Sequence, residues 1–558
     1  MPTRILSYLH KEFTGLHEAA FLLGASAFLS QVLALFRDRL LASTFGSGSA
    51  LDIYYAAFKI PDFIYASIAS VVSVTVLIPF IIERLADGRD AEAKKFLNTV
   101  FTAFSVVMVG VCGLSWIFIP ALAPIVVPGF SPAQQAEFIT LSRILLLSPF
   151  LLGLSALLGS ATQAFRKFFV FAITPIVYNI GIIIGIVFFY PTFGLPGLAY
   201  GVALGAFLHL SIQLPVLYKL DFFPKFTSSL DFKTLREVIM ISLPRTVALA
   251  TDKISLAVLA ALGSLMATGT ITIFNLALNL QSVPLAVVGV SYSIAAFPAL
   301  AQIFSKGDMA EFRSKVETAI RHIVFWSVPA TVLFIVLRAQ IIRVIYGAGR
   351  FDWSDTRLTA AALAIFAVSV VAQSLILLFV RAYYAGGKTM RPLMVNAGTS
   401  ILTIIFAFVF IKWFEVSEMF RQIIGITVRV SDVSDTVMLT LPLAYSLGYI
   451  VNAILLWIYF VKDFGNFSSP VIKSCMQVLG ASLAGGFVTY LALNASQGFL
   501  SLHTTFGVFS QGFVSGIIGI LVIIAILRAI KNKELNVVAD TLHHKFWKEK
   551  VVVAEQNL

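Results

Sequence analysis

The segment 169–190 reads FVFAITPIVYNIGIIIGIVFFY and contains no charged side chain. An α-helix needs about 20 mainly apolar residues to cross the hydrocarbon core of a bilayer, and this segment has that length. Similar windows recur along the chain, at 18–43, 52–82, 96–123, 138–163, 196–218, 237–263, 270–303, 317–340, 357–384, 392–413, 437–461, 471–494 and 508–530. The pattern predicts an all-α polytopic membrane protein with about fourteen transmembrane helices.

The composition agrees with this prediction. Hydrophobic residues make up 59% of the 558 residues and charged residues only 12%, whereas soluble proteins carry roughly 25% charged residues. This balance excludes a disordered chain, a fibrous chain and an ordinary cytosolic enzyme. The two cysteines, Cys112 and Cys475, lie in separate apolar runs, so they provide neither a disulfide framework nor a cysteine-rich metal site.

Lysine and arginine are distributed unevenly between the loops. The loops near 46–50, 124–136, 191–196 and 264–269 contain neither residue, whereas basic residues are found near 84–95, 166–167, 219–236, 306–315 and 381–391. Because basic loops stay in the cytoplasm, both termini are predicted to be cytoplasmic. The outer loops 338–357 and 414–436 depart from this pattern. The net charge of +12 therefore reflects topology and calls for no nucleic-acid partner.

The C-terminal tail carries a further basic cluster, which is interleaved with aromatic residues. Its members are Lys545, Phe546, Trp547, Lys548 and Lys550. Such a cluster is typical of segments that touch anionic membrane lipids, and a solvated tail is the alternative.

An internal repeat organises the chain. PFIIERLADGRDAEAK at 79–94 and PALAQIFSKGDMAEFR at 298–313 share a proline, a glycine, an Ala-Glu pair and a basic residue without a gap. The second copy begins six windows after the first, an even number, so the two copies have the same orientation in the membrane. Parallel repeats of this kind are typical of alternating-access carriers. The predicted division is a cytoplasmic N-terminus, two six-helix bundles, two C-terminal helices and a basic cytoplasmic tail, at 1–17, 18–225, 226–465, 466–531 and 532–558.

Ionisable residues inside the windows are the candidate functional residues, because a charge within a membrane costs free energy unless it faces water or a partner. They are predicted to line a water-filled cavity, and they are Arg37, Asp38, Asp52, Lys59, Asp62, Arg245, Asp252 and Lys253. Cations in such a cavity suit an anionic or zwitterionic amphiphile, since guanidinium groups bind phosphate oxygens well.

Two local arrangements within this set are predicted. Arg37 and Asp38 are neighbours on one helix and point about 100° apart, so they should bond to Lys59 and Asp62 rather than to each other. For Asp52 the alternative is a structural role, in which its carboxylate caps the N-terminus of the second window.

The sequence shows no cluster of acids, bases and nucleophiles, and no nucleotide-binding motif. The histidines are scattered, at His10, His17, His209, His322, His503, His543 and His544. We therefore expect a protein that is not an enzyme and that holds no cofactor or metal.

Several motifs together resemble the MurJ/MviN lipid II flippase family of the multidrug/oligosaccharidyl-lipid/polysaccharide exporter superfamily. The most extensive are SQVLALFRDRL at 30–40 and DIYYAAFKIPD at 52–62, and shorter matches occur at 128–130, 143–149, 346–356 and 381–392. The resemblance covers roughly 18–465. It implies a multi-pass protein of the bacterial inner membrane that moves lipid II, the polyprenyl-pyrophosphate-linked peptidoglycan precursor. It also places Arg37 and Asp38 on functionally important family positions and the lipid tail along the last two helices.

The chain departs from the family pattern at several polar positions. By the resemblance, family arginines are replaced by Gln31, Tyr65, Ala66 and Asn279, and an acidic residue by Ser70; residues of a sodium site found in some members are replaced by Leu259, Thr403 and Ala407. Sodium coupling through that site is therefore not expected. Arg245 and Lys253 are predicted to restore part of the lost positive charge. Three alternatives stay open: an exporter of another polyprenyl-pyrophosphate-linked oligosaccharide, a multidrug antiporter, and a non-transporting scaffold of the same fold.

Overall fold

The structure, a computed structural model, describes residues 16–72, 74–86, 88–499 and 504–539. Within these ranges the chain forms helices and no β-strand. Eleven helices are long and apolar enough to cross a membrane, and the number is thirteen when each of two bent helix pairs counts as one span. Within the described residues, each of the fourteen predicted windows lies on one helix or on consecutive helical segments, which confirms the all-α membrane fold. The orientation with both termini in the cytoplasm stays a prediction.

The first half of the described chain contains eleven α-helices. They are α1 Leu16–Phe45, α2 Ser49–Ala57, α3 Lys59–Ser67, α4 Val74–Ala86, α5 Asp90–Val126, α6 Pro132–Leu145, α7 Leu147–Ala164, α8 Phe168–Ile184, α9 Tyr190–Phe193, α10 Pro196–Ser211 and α11 Leu214–Lys219. A wide turn of helix, Gly185–Phe189, joins α8 to α9. α1 carries Arg37, Asp38 and Arg39. It is not one of the eleven helices counted as membrane spans or of the two bent pairs.

The second half contains another eleven. They are α12 Phe232–Ser264, α13 Thr270–Pro284, α14 Ser291–Ser305, α15 Met309–Ile345, α16 Trp353–Val368, α17 Val370–Ala385, α18 Met390–Val416, α19 Glu418–Val428, α20 Thr440–Phe464, α21 Ser469–Ser496 and α22 Thr505–Ala529. α19 lies within the loop 414–436, whose order the sequence left open.

Prolines stand at the points where the spans are interrupted. Pro61 and Pro149 both occupy the third residue of a helix that follows a break, in α3 and α7 respectively. A proline is tolerated in a first turn, because the N–H that it lacks would have no partner within the helix there. Pro284 ends α13 before a wide turn of helix, Leu285–Val290. These prolines therefore sit at helix boundaries, where they direct the chain without breaking a regular helix.

The glycines of the predicted repeat have the same conformation. Gly88 and Gly307 both take a positive φ, 68° and 78°, and each N–H bonds to the carbonyl three residues earlier. A positive φ favours glycine, because other residues meet a steric penalty there. Both copies thus use one turn to leave a long helix and begin the next.

Contacts divide the chain into two compact units. The first comprises Met1–Leu280, Ile345–Ala362 and Thr389–Gly448, and the second Gln281–Val344, Leu363–Lys388 and Tyr449–Leu558. Every predicted site residue belongs to the first unit. The predicted boundaries at 225 and 465 rest on the sequence repeat and stay a prediction.

Within the first unit, α8 and α10 approach each other through glycines. A Cβ atom on Gly181 would lie 2.3 Å from Cα of Gly205, and one on Gly185 would lie 2.5 Å from Cα of Gly201. Small residues permit this backbone contact, which is a common basis for helix packing in membranes. The close packing fixes α8, the helix of the quoted segment 169–190, beside α10.

Within the second unit, one face of α15 fastens the segments that flank the last two spans. Arg313 donates to the carbonyl of Phe464 at 3.5 Å. Four residues later, the buried carboxylate of Glu317 accepts from Ser468 N–H at 2.8 Å. After four more residues, Arg321 pairs with the buried Glu534 at 2.9 Å. α15 therefore fixes where the chain enters α21 and where it leaves α22.

Candidate functional site

Arg37 and Asp38 form an ion pair with each other. The guanidinium of Arg37 donates to Oδ1 of Asp38 through Nε at 2.9 Å and through Nη2 at 2.7 Å. The prediction that these neighbours are poorly placed to pair with each other was wrong. The arginine side chain is long enough to turn back across the 100° separation between adjacent Cβ directions. The aspartate is 2% exposed, so this pair is held inside the protein.

The other partners of this pair are asparagines, where Lys59 and Asp62 had been predicted. Asn179 on α8 accepts from Nη1 of Arg37 at 3.0 Å. Its amide nitrogen donates to Pro175 O at 3.0 Å and to Ser30 Oγ at 3.2 Å. Asn279 on α13 donates to Oδ2 of Asp38 at 3.1 Å. α1, α8 and α13 therefore meet at one polar group.

Buried tyrosines surround this pair. Tyr54, Tyr55 and Tyr346 are at most 9% exposed and lie within electrostatic range of Arg37. The Tyr346 hydroxyl donates to Leu276 O at 3.2 Å. The surroundings are thus apolar rings with hydroxyl edges, which strengthen the ion pair by excluding water.

Asp52 connects two helices. It lies in the first turn of α2, yet its carboxylate caps the start of α13 instead of its own helix. Oδ2 accepts from Gly269 N–H at 2.6 Å, and Oδ1 accepts from Thr272 N–H at 2.8 Å and from Thr272 Oγ1 at 2.7 Å. The residue is 4% exposed. Asp52 therefore caps a helix, although that helix is a different one from the one predicted.

Lys59, Asp62 and Lys253 form a second, more open charged group. Nζ of Lys253 lies 3.7 Å from Oδ2 of Asp62, and their side chains are 35% and 45% exposed. Nζ of Lys59 donates to Oδ1 of Asn275 at 3.3 Å. It also interacts electrostatically with Asp62 and Lys253. We name these three residues the open cluster. It brings α3 and α12 together, with α13 contributing the amide.

Arg245 and Asp252 extend this group along α12. They are seven residues apart, which is two turns, so they lie on one face of the helix. Both are half-buried and take part in interactions. The guanidinium of Arg245 lies within electrostatic range of the Tyr65 hydroxyl on α3. Positive charge on α12 thus faces α3, where the resemblance implies arginines at Tyr65 and Ala66.

Two more of the positions at which the chain departs from the family pattern have hydrogen-bond partners. Ser70 and the adjacent Thr246 on α12 share a hydrogen bond of 3.0 Å, and Asn279 holds Asp38. By contrast, Leu259 and Ala407 are at most 1% exposed, and Thr403 Oγ1 donates to Thr399 O of its own helix at 2.9 Å. The side chains of Leu259 and Ala407 contain no oxygen, so they offer no ligand to a sodium ion. Across the described ranges, no group of three or more His, Cys, Asp or Glu residues is placed to hold a metal.

Sequence reasoning missed the amides. Asn179, Asn275 and Asn279 each hold a charged side chain of the site, and none was named as a site residue. Each of them is a polar residue inside a window of about 20 mainly apolar residues. A buried amide needs hydrogen-bond partners, so such a residue indicates a polar contact within the protein. Asn179 interrupts the charge-free segment 169–190 and could have been found in this way.

The arrangement offers two polar environments in one unit. Arg37, Asp38 and their asparagines form a buried and fully bonded group, whereas the open cluster presents partly exposed ammonium groups within the spans. The Lys253 side chain of the second environment is 35% exposed, which leaves it open to an incoming anionic group.

Comparison with known proteins gives the same fold. A solved structure described as lipid II flippase MurJ in an inward closed conformation superposes with a TM-score of 0.72 and 24% identity, over 91% of this chain and 99% of that one. An inward-facing multidrug resistance transporter of the MATE family superposes with a TM-score of 0.64 and 16% identity, over 79% and 96%. The shared fold, together with helices long and apolar enough to cross a bilayer, defines a multi-pass membrane protein.

Sequence comparison is more specific. The family profile described as lipid II flippase MurJ matches residues 41–509. The lipid II flippase MurJ of Burkholderia cenocepacia is 25% identical over 397 residues, 69% of this chain and 76% of that protein. The probable lipid II flippase MurJ of Thermotoga maritima is 27% identical over 395 residues, or 70% and 79%. The chain belongs to the lipid II flippase MurJ family and is a multi-pass protein of the bacterial inner membrane.

Proposed function

We propose that the chain moves lipid II across the inner membrane for peptidoglycan synthesis, by alternating access. The open cluster carries this proposal. Lys253 and Asp62 lie 3.7 Å apart and are each more than a third exposed. Lys253 lies in a helix of membrane-crossing length, and Asp62 lies in a bent helix pair that is long enough to cross as one span. Charged groups are stable at such a depth when they face water or a charged ligand.

The charge of the open cluster suits a pyrophosphate. Lys59 and Lys253 supply two ammonium groups against the carboxylate of Asp62. Further along α12, Arg245 adds a guanidinium and Asp252 adds a carboxylate, so cations outnumber carboxylates by three to two. Lysine binds phosphate as a point charge, and arginine can bind it through two parallel hydrogen bonds. An arriving pyrophosphate would replace Asp62 as the partner of Lys253, which requires only a weak, solvent-exposed ion pair to open.

Arg37 and Asp38 have a different part in this proposal. They are bonded to each other and to two amides, so they position α1 against α8 and α13 and leave α3 and α12 to meet the headgroup. Asp52 acts in the same way by capping α13. We therefore assign headgroup binding to Lys59, Asp62, Arg245 and Lys253, with Asp252 beside them, and positioning to Arg37, Asp38 and Asp52.

We further propose that transport involves no covalent step. Two histidines within the described residues have structural surroundings: Nδ1 of His209 lies 2.6 Å from Ser155 Oγ, and the ring of His322 contacts Tyr292.

Anionic lipids are retained as proposed partners of the tail residues Lys545, Phe546, Trp547, Lys548 and Lys550, which lie outside the described residues.

The direct test is a flipping assay in vesicles that contain purified protein and fluorescent lipid II. The wild-type chain should flip it, and Arg245→Gln/Lys253→Gln should lower the rate at least about tenfold. Each charged hydrogen bond contributes about 1.5–3 kcal/mol, and about 1.4 kcal/mol corresponds to tenfold. Wild-type transport in the double variant would refute headgroup binding at this site.

A matched control exists on the same helix. Lys233 and Arg236 are exposed near the start of α12, so Lys233→Gln/Arg236→Gln removes the same charge and should keep transport. The cargo is tested separately, by growth when the host's own flippase is depleted and by native mass spectrometry with several polyprenyl-pyrophosphate lipids. Preference for another lipid-linked oligosaccharide, or no transport of any, would contradict lipid II as the cargo.

A further inference from the structure

The helix α19 stands apart from the spans. It follows α18 directly, with only Ser417 between them, and it has 11 residues. Ser417 is extended, with φ −105° and ψ 109°, and its side chain accepts from Phe420 N–H at 3.3 Å. The chain therefore ends one helix and starts another at a single capping residue, which changes its direction.

The junction is held by contacts on both sides. The rings of Trp413 and Phe420 stack, with centroids 4.3 Å apart and planes 3° from parallel. Arg421 donates to Glu415 O at 3.1 Å and to Phe414 O at 3.3 Å. These carbonyls belong to the last turn of α18, which an adjacent cation stabilises. The angle between α18 and α19 is thus fixed by an aromatic stack and by a charged helix cap.

The far end of α19 is anchored as well. Arg357 on α16 makes two hydrogen bonds to the carboxylate of Asp432, one of them 2.6 Å long, and a third to Arg429 O at 2.8 Å. Val430 is 1% exposed. Arg357, one of the arginines that depart from the predicted charge pattern, therefore fastens this loop to α16.

One face of α19 packs on the protein and another does not. Phe420, Ile424 and Val428 are buried, at spacings of four residues. Met419, Ile423 and Ile426 occupy a neighbouring stripe about 60° wide and are 66%, 51% and 70% exposed. Glu418 and Gln422 lie on the next face and are also exposed. The helix therefore presents a bare apolar stripe beside a polar one.

The apolar stripe continues the bare surface of α18. Along that span Ile405, Phe408, Val409 and Trp413 are 48–54% exposed, and Val416 at its end is 74% exposed. Exposed apolar residues on a transmembrane helix face lipid chains, and tryptophan is enriched where the hydrocarbon ends. Met419 follows Val416 by three residues. The bare apolar surface thus runs from α18 onto α19. Lys412, whose side chain is 76% exposed, lies on the same face of α18 between Val409 and Val416.

We propose that α19 lies along the bilayer interface at the leaflet where α18 ends, with Met419, Ile423 and Ile426 among the acyl chains. The exposed Arg421 and Lys412 lie at the level of the headgroup phosphates. An interfacial helix of this type has an apolar face inserted by about 5–10 Å and a polar face in water. In the predicted orientation this leaflet is the outer one, where transported lipid would arrive. The assignment is independent of the cargo.

Spin-label accessibility tests the proposal. Single cysteines at 419, 423, 426, 418, 422 and 405 are made in a Cys112→Ser/Cys475→Ser background, labelled with a nitroxide and reconstituted in phosphatidylethanolamine/phosphatidylglycerol vesicles. Power saturation then compares molecular oxygen, which concentrates in lipid, with a water-soluble nickel chelate. Labels at 419, 423 and 426 should favour oxygen, as the reference at 405 does, whereas labels at 418 and 422 should favour nickel.

Two results would overturn the proposal. Nickel preference at all five α19 positions would place the whole helix in water. Exclusion of both reagents from 419, 423 and 426 would mean that protein, such as a second copy of the chain, covers the stripe. Each labelled variant is compared with its background for elution volume and thermal unfolding, so that a misfolded variant is recognised before its accessibility is interpreted.

Discussion

The amide nitrogen of Asn279 donates a 3.1 Å hydrogen bond to Oδ2 of Asp38, while Oδ1 of the same carboxylate is held by Arg37. The resemblance implies an arginine at the position of Asn279. In this chain the neutral amide completes the hydrogen bonding of a buried carboxylate whose charge Arg37 already balances. A second arginine there would bring a further buried charge, which needs its own partner.

Asn279→Leu should therefore destabilise the protein. The substitution keeps the approximate size of the side chain but leaves one oxygen of a buried carboxylate without a donor, at a cost of about 1–3 kcal/mol. Thermal unfolding in detergent measures the effect. Asn494→Leu, at an exposed position near the end of α21, is the control and should change stability little. Equal stability of both variants would show that the Asp38 carboxylate does not depend on this amide.

The pair of Asp62 and Lys253 should matter more for transport than for folding. At 3.7 Å and with both side chains more than a third exposed, a double-mutant cycle of Asp62→Asn and Lys253→Gln should give a coupling of about 0.2–1 kcal/mol in unfolding. Flipping by Lys253→Gln should fall several-fold. A coupling above about 2 kcal/mol with unchanged flipping would make the pair a structural one.

Asp52→Ala should lower stability without a specific loss of transport. Two backbone N–H groups at the start of α13 lose their acceptor, and the loss of a helix cap costs about 0.5–2 kcal/mol. Asp90→Ala, in the exposed first turn of α5, should change stability by no more than about 0.5 kcal/mol. Unfolding and flipping per folded molecule are measured together. If stability is kept while lipid binding disappears, Asp52 is a binding residue after all.

The attachment of the outer loop should withstand mild acid. Arg357 lowers the pKa of the Asp432 carboxyl to about 2, chiefly through a side-chain hydrogen bond, whereas an unfolded aspartate has a pKa of about 3.9. Because the folded pKa is depressed, the contribution of this pair to stability is fully present above about pH 4. It is lost as the pH falls through about 2.

A nitroxide at position 434, beside Asp432, reports this attachment through its mobility. The label should stay restricted from pH 7 down to about pH 4 and loosen below that range, and Asp432→Asn should loosen it at every pH. Loosening of the unmutated chain between pH 7 and pH 5 would assign the attachment to some other group.

The amino-acid sequence by itself determined the helices of this protein and the family to which it belongs. Long apolar runs can only satisfy their backbone groups in a membrane by forming helices, so windows such as 169–190 specify spans without knowledge of their neighbours. The glycines of the repeat were equally readable, since Gly88 and Gly307 mark turns that other residues enter only with strain.

Only the tertiary structure decided which charged groups have partners. Because adjacent Cβ atoms on α1 point about 100° apart, an ion pair between Arg37 and Asp38 was not expected. The arginine side chain is long enough to turn back, and the pair forms. Asp52 caps α13, about 220 residues away in sequence, because a carboxylate binds whichever free helix end packs against it. Hydrogen bonding of buried groups is settled by packing between helices, and a periodic sequence pattern contains no record of the distance between them.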